Sequence, residues 1–138
     1  MFPYRGKWEI KWFRKTASTI YDPNTLLVQN SDDDTVVGAL NTSTSATGIL
    51  GICLRKVRSG DSDYAETSRI PVAVPQDSAS ELLCTTASTI AATDEGELHD
   101  LTDSAVVNEA GSTNQWVKLK QFVGTTSGIY TINKKSFV

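Results

Sequence analysis

Histidine and cysteine are scarce in this chain of 138 residues, which contains one histidine and two cysteines. Structural zinc sites usually draw four ligands from closely spaced cysteines and histidines. His99 stands alone, and neither Cys53 nor Cys84 belongs to a Cys-x-x-Cys pair. The sequence therefore predicts no zinc site and no cofactor. Because each cysteine lies inside an apolar run, both are predicted to be reduced core residues.

Long apolar runs and an excess of basic residues are also missing. No apolar stretch approaches the roughly 18–20 residues of a membrane helix, and the first residues are charged and aromatic, unlike a secretory signal. The formal net charge is −3, whereas nucleic-acid-binding domains are usually strongly basic. These absences predict a protein whose partner is neither a membrane nor a nucleic acid.

Catalytic side chains are few. A general base would have to be His99, oriented by Asp100 or Asp103, with a nucleophile such as Ser104. Adjacent residues of a strand point to opposite faces, however, and the chain has no Gly-x-Ser-x-Gly elbow. We interpret His99 as a surface residue in an acidic loop. The sequence thus predicts a protein that is not an enzyme.

Two acidic groups, at residues 32–34 and 61–63, offer oxygen atoms to a calcium ion. Neither has the ligand spacing of an EF-hand loop. We therefore expect both groups to be solvated turns.

Short alternating or apolar segments dominate the rest of the chain, and sustained helical periodicity is absent. The first of them places Trp8, Ile10 and Trp12 on one face of a strand. Pro71 lacks an N–H group, so its strand is predicted to lie at a sheet edge or to begin there. Strands are predicted over residues 7–13, 25–28, 35–40, 49–57, 69–74, 80–86, 116–123 and 129–133. The pattern predicts an all-β fold, a small β-barrel or β-sandwich of about eight short strands.

The first fifteen residues differ in charge from the remainder. They carry five basic residues against one acid, so about +4 lies on a chain whose net charge is −3. Two interpretations stay open: a strand that buries Trp8 and Trp12 in its own core, or an extended N-terminal arm (1–15) that leaves a β domain (16–138) and binds a partner. The residues predicted to bind that partner are Arg5, Lys7, Trp8, Lys11, Trp12, Phe13, Arg14 and Lys15.

A second candidate contact lies between two apolar segments, 49–54 and 70–75. These segments read as buried strands, and the polar stretch between them contains a Ser-Gly-Asp turn at 59–61. Arg55 and Arg58 lie in this stretch and are predicted to touch a neighbouring molecule, as a contact secondary to the N-terminal segment.

An internal similarity links the two halves of the chain. The pentapeptide Thr-Ala-Ser-Thr-Ile occurs at 16–20 and at 86–90, and Val36-Val37 matches Val106-Val107 at the same offset of 70. One interpretation is a duplicated β-module. The other is coincidence in a sequence rich in serine and threonine.

The order of several motifs resembles that of tailed-bacteriophage capsid decoration proteins, also called cement or head-stabilisation proteins. These motifs are Thr-Gly-Ile-Leu-Gly-Ile (47–52), Ser-Gly-Asp (59–61), Ile-Pro-Val-Ala-Val-Pro (70–75) and Trp-Val-Lys-Leu (116–119). The resemblance covers most of the chain as a pattern, but it assigns no individual residue a function.

The resemblance implies a structural virion protein on the outer surface of a capsid, assembled in the host cytoplasm. Its partner would be the major capsid protein, whose subunits it would bridge as a homo-oligomer, with a trimer favoured. Two alternatives remain: a phage tail or baseplate β-module, and a small carbohydrate- or ligand-binding barrel with Trp116 and Tyr130 as stacking platforms.

Overall fold

The computed structural model describes residues 1–29, 35–38, 48–77 and 79–133. Its only helical element in these residues is a single 3₁₀ turn, Ala92–Asp94, so the all-β prediction is confirmed. The strands are β1 (Phe2–Arg5), β2 (Trp8–Lys15), β3 (Leu26–Gln29), β4 (Thr35–Gly38), β5 (Ile49–Cys53), β6 (Arg69–Pro75), β7 (Glu81–Thr86), β8 (Leu98–Leu101), β9 (Val106–Asn108), β10 (Val117–Gly124) and β11 (Ser127–Ile132). Eleven strands replace the predicted eight. The end of the predicted third strand, residues 39–40, lies outside the described residues.

Five strands close the first barrel in the order β2-β4-β3-β5-β6. All neighbours run antiparallel except β2 and β4, which pair in parallel through Arg14–Thr35 and Lys15–Val36. Alternation places one face of each strand inside. A separate core cluster fills this barrel and includes Leu27, Leu50 and Val72.

The N-terminal segment is part of the sheets and does not form an extended arm. β1 pairs with β7, and β2 pairs with β6 at every position from Trp8 to Arg14. These backbone hydrogen bonds hold residues 2–15 against the body of the protein. Of the two interpretations of residues 1–15, the pairing favours a strand of the domain over an arm that leaves it, because β2 supplies one wall of the first barrel.

A second ring of strands follows in the chain. β7, β11, β10, β8 and β9 are neighbours in that order, and β9 pairs back onto β7, which closes the ring. β1 lies on the same edge of β7 as β9 does, beside the first residues of β7. The second barrel is thus a closed ring with one additional strand.

Both barrels have the same topology. In each, the first strand pairs in parallel with the third, and the remaining neighbours are antiparallel. The parallel pairs Thr85–Val106 and Thr86–Val107 lie 71 positions after Arg14–Thr35 and Lys15–Val36. The repeated pentapeptide comes at the end of the first strand in both barrels. This common topology supports the hypothesis of a duplicated module.

A single apolar cluster joins the two barrels. It contains the interior of the second barrel and also Leu26, Val28, Ile49 and Ile52, which point outward from the first. β5 is therefore buried on both faces, and all five of its residues are buried. A strand buried on both faces has apolar residues at consecutive positions, which explains the uninterrupted apolar run in this part of the sequence.

Pro71 belongs to a strand with a neighbour on each side, so the prediction of an edge strand is wrong. β6 pairs with β2 on one side and with β5 on the other. Pro71 comes one position beyond the last pair between β5 and β6, Cys53–Val72, and its carbonyl accepts a hydrogen bond from the Leu54 N–H at 3.1 Å. The missing N–H of the proline therefore falls where β5 has already ended.

Candidate interaction surface

The aromatic side of β2 faces outward. Ile10 pairs with Ala73, and Trp12 pairs with Pro71, on the outer surface of the first barrel. The exposed fractions of Ile10 and Trp12 are 61% and 58%. The interpretation that β2 buries both tryptophans in its own core is therefore wrong for Trp12, because Phe13 and Lys15, which alternate with it, are the buried residues of this strand.

Two neighbouring residues extend this exposed apolar surface. Pro71 is half-buried, and the Leu54 N–H donates to its carbonyl, which brings exposed Leu54 alongside. We call the group formed by Ile10, Trp12, Leu54 and Pro71 the β2–β6 face. Exposed apolar groups of this kind, rimmed by polar residues, commonly mark binding sites on soluble proteins.

Two of the predicted aromatic anchors are held by the protein itself. Phe13 belongs to the core of the first barrel. Trp8 is half-buried, packs against the shared apolar cluster, and its Nε1–H donates to the Arg5 carbonyl at 3.0 Å. Of the three predicted aromatic anchors, Trp12 is the one that remains free to contact a partner.

The basic residues near the β2–β6 face fall into two groups. Lys15 is fully buried, and its Nζ donates to the carbonyls of Tyr64 and Glu66. Arg14 donates to Thr67 Oγ1 at 2.9 Å. Both cations are therefore committed to the residues that precede β6, and burial removes Lys15 from any external surface.

Arg5 is also engaged. Its Nε–H lies 2.9 Å from a carboxylate oxygen of Glu81, and its guanidinium lies 5.0 Å from the ring centroid of Tyr4. Lys120 binds the other oxygen of Glu81, and this hydrogen bond, reinforced by Arg5, lowers the pKa of that carboxyl. The ion pair between Arg5 and Glu81 links β1 to β7, and the ion pair between Lys120 and Glu81 links β10 to β7.

Lys7 and Lys11 are the predicted cations that remain available. Lys7 is exposed and Lys11 is half-buried, and neither forms a salt bridge with another described residue. Exposed Arg69 adds a third positive charge, and its Nη1 donates to the Trp12 carbonyl at 3.2 Å. Arg69 lies on the same side of the sheet as Trp12, whereas Lys7 and Lys11 alternate with Trp8, Ile10 and Trp12 and lie on the other side of the strand.

The two arginines of the loop before β6 shape that loop. Arg55 makes two hydrogen bonds of 2.8 Å with the carboxylate of Asp63. These bonds, with one from Ser68, hold the pKa of Asp63 well below its usual range. Arg58 donates to the Tyr21 carbonyl at 2.8 Å and pairs with Asp22. The structure thus uses Arg55 and Arg58 to hold the loop.

The acidic residues of this loop form turns, as predicted. Asp61 accepts the Arg58 N–H at 3.0 Å, and Asp63 is bound by Arg55. No group of three potential metal ligands occurs in the described residues. The other acidic group, residues 32–34, lies outside them.

His99 is buried, which contradicts its interpretation as a surface residue. It lies in β8 with 2% of its surface exposed, and its Nδ1 is 3.0 Å from the hydroxyl of Tyr130. The neighbouring Asp100 is also buried and accepts the backbone N–H groups of three consecutive residues, 113–115. His99 therefore packs inside the second barrel, and Asp100 holds the loop at residues 113–115.

The predicted carbohydrate platforms are not on the surface. Trp116 and Tyr130 are both buried in the shared apolar cluster. A sugar ring cannot stack on either of them without opening the second barrel. This removes the residues on which the carbohydrate-binding alternative was based.

Both cysteines are free and buried, as predicted. Burial raises the pKa of Cys53, and it raises the pKa of Cys84 to about 12. Both residues therefore stay in the protonated thiol form at neutral pH and act as small apolar core side chains.

Sequence reasoning missed Leu54, Pro71 and Arg69 as members of the surface. Leu54 directly follows a buried strand, and nothing in the sequence separates it from the core residues before it. A partial signal existed for Arg69, because it starts a strand whose alternate residues, Ile70 and Val72, are strongly apolar.

No helix in the described residues is long and apolar enough to cross a membrane. Comparison of the chain with known protein families, with curated proteins and with solved structures finds no match.

Proposed function

We propose that this chain is a structural virion protein that binds the outer surface of a phage capsid and stabilises it by bridging capsid subunits. The observation that carries the proposal is the β2–β6 face, with Ile10 and Trp12 more than half exposed on a strand fixed in a closed barrel. A rigid strand presents its side chains with little loss of conformational entropy on binding. Tryptophan is also among the residues that most often dominate interface energy.

The partner in this proposal is the major capsid protein. The positive charge of Arg69 beside the β2–β6 face, with that of Lys7 and Lys11 on the adjoining side of the same segment, suits an acidic surface on that partner, because complementary charge steers association and sets orientation. Many copies on one shell bind with additive effect, so a modest contact in each copy suffices. The role requires no catalytic step.

A tail or baseplate location is the second candidate, and the same β2–β6 face would serve it. The two candidates differ in where the protein lies in the particle. Labelling of intact virions with an antibody against this chain distinguishes them, because a capsid protein decorates the whole shell and a tail protein labels one vertex.

Binding to empty shells of the parent phage, assembled without this protein, tests the proposal. Deletion of residues 1–13 is unsuitable because it removes β1 and most of β2. Trp12→Ala is expected to lose co-sedimentation with shells while the free energy of unfolding changes by less than about 0.5 kcal/mol. Val123→Ala is the matched control, since Val123 is 51% exposed on β10 in the other barrel. Equal binding of Trp12→Ala and wild type would contradict the proposal.

A further inference from the structure

β2 has one edge whose hydrogen-bonding groups are turned away from β6. Gln76 N donates to Lys7 O, and Lys15 N donates to Ser68 O, both at 2.9 Å. In an antiparallel pair such hydrogen-bonded positions alternate with positions that face the opposite side. Hence Trp8, Ile10 and Trp12 direct their N–H and C=O groups toward the other edge of β2.

In the part of the chain that the structure describes, that edge is open over most of its length. β4 reaches it only at Arg14 and Lys15, and no described strand pairs with it between Trp8 and Phe13. The Trp12 carbonyl receives a hydrogen bond from Arg69, but a carbonyl oxygen has a second lone pair. An unpaired edge of this kind is a template for another strand.

The second barrel shows the same edge when it is occupied. Its equivalent strand, β7, pairs there with β1 through the register Phe2–Leu83, Pro3–Leu82 and Arg5–Glu81. Residues 81–83 lie 71 positions after residues 10–12, which is the offset that relates the two barrels. One barrel therefore carries an added strand at the position where the other exposes Ile10 and Trp12.

The sequence of the open edge is self-complementary. In Trp-Glu-Ile-Lys-Trp (8–12), an antiparallel pairing centred on Ile10 sets Trp8 opposite Trp12 of the partner subunit. On the other face of the strand it sets Glu9 opposite Lys11 of the partner subunit. Neither Glu9 nor Lys11 forms a salt bridge with a described residue of its own chain. Aromatic pairs and opposite charges are both stabilising across strands.

We propose that two copies of this chain associate through the open edges of their β2 strands, in antiparallel register about a two-fold axis at Ile10. The contact joins the first barrel of one copy to the first barrel of the other through a continuous sheet, and it covers Ile10 in both copies. Complementary charge supports a second copy as the occupant, because this register places Glu9 of each copy opposite Lys11 of the partner subunit. The isologous geometry also gives each contact twice.

This contact requires no capsid, so it stands or falls separately from the proposed function. It differs from the trimer that the family resemblance implies, because a two-fold edge contact gives a dimer or joins two trimers. In both cases the number of copies in the assembly is even.

Charge exchange across the axis tests the register. Lys11→Glu places two carboxylates opposite each other at two positions in the dimer. We expect the dissociation constant of the dimer to rise about tenfold, which corresponds to about 1.4 kcal/mol. The double variant Glu9→Lys/Lys11→Glu restores opposite charges and should recover wild-type association. Ile10→Lys places two lysines on the axis and should abolish it, whereas Val123→Lys, on a comparably exposed apolar residue, should leave it unchanged.

Analytical ultracentrifugation over a range of concentrations measures the mass of the assembly that the full-length wild type and each variant form. Far-ultraviolet circular dichroism checks that each variant is folded. Hydrogen exchange should show the Ile10 amide protected in the wild type and open in Ile10→Lys. A wild type that is monomeric at its highest soluble concentration overturns the proposal. So does an odd-numbered assembly, or a double variant as weak as Lys11→Glu. If only shell binding responds to these variants, the edge belongs to the capsid partner, and the dimer is likewise rejected.

Discussion

The carbonyl oxygen of Ala73 lies only 2.3 Å from the position that a Cβ atom on Gly51 would take. Such a distance is far inside van der Waals contact. Gly51 is in β5 and Ala73 in β6, and the two strands pair at this point. The close approach of these backbones is therefore part of how the first barrel closes.

Gly51→Ala should consequently be destabilising. The new methyl group meets backbone atoms of β6, which cannot move without breaking that strand's pairing with β2, and overpacking of this kind costs about 1–3 kcal/mol. Gly60→Ala is the matched control, because nothing lies within 4 Å of a Cβ there. Urea denaturation measures both variants. Equal midpoints for the two would show that the strands separate more easily than the structure indicates.

A buried hydrogen bond should make Tyr130 sensitive to loss of its hydroxyl. Burial raises the pKa of Tyr130, so the hydroxyl keeps its proton, and it forms a 3.0 Å hydrogen bond with His99 Nδ1. Tyr130→Phe leaves that buried nitrogen without this partner, which should cost about 1–3 kcal/mol of the free energy of unfolding. Tyr4→Phe, on an exposed tyrosine, should change it by less than about 0.5 kcal/mol. If both variants unfold at the same urea concentration, the hydrogen bond contributes nothing to stability.

The ion pair between Arg55 and Asp63 should give stability a specific dependence on pH. Because the hydrogen bonds from Arg55 and Ser68 lower the pKa of Asp63 from its ordinary value of 3.8, the pair stabilises the folded state above that value. This stabilisation is lost as the pH falls below it. The difference in free energy of unfolding between wild type and Asp63→Asn should therefore shrink between pH 7 and acid pH.

Arg55→Gln provides the check on that interpretation. It removes the main cause of the lowered pKa, so it should flatten the pH dependence as Asp63→Asn does. A wild type and an Arg55→Gln variant whose stabilities fall in parallel with pH would place the effect on other carboxyl groups.

Much of the fold was accessible from sequence because its signals are local. The apolar runs in β5 and β6 and the alternation in β2 each predicted a strand without reference to the rest of the chain. β1, β8 and β9 were missed because they are short, and their pairing depends on strands distant in the chain. The halves share topology, yet only a pentapeptide and two valines reveal it, since few side chains are needed to specify a pairing order.

The candidate surface was harder to predict because alternation identifies two faces without saying which is inside. For β2 the alternation therefore left two interpretations open, an aromatic face in the core or an aromatic face against a partner. The interior of a five-stranded barrel is narrow, and here it is filled by side chains such as Leu27, Leu50 and Val72, so Trp12 lies outside. His99 misled in the opposite direction, because the acidic residues near it in sequence suggested solvent while Tyr130, far along the chain, covers it.

The apolar cluster common to both barrels has a consequence for how the molecule comes apart. Leu26 and Ile52 stay buried only while the second barrel is in place. Separation of the two barrels would therefore expose apolar side chains of the shared cluster to water. We expect one cooperative heat-capacity peak, with equal calorimetric and van't Hoff enthalpies. A protein of two similar modules would then behave, under heat or mechanical load, as one indivisible unit.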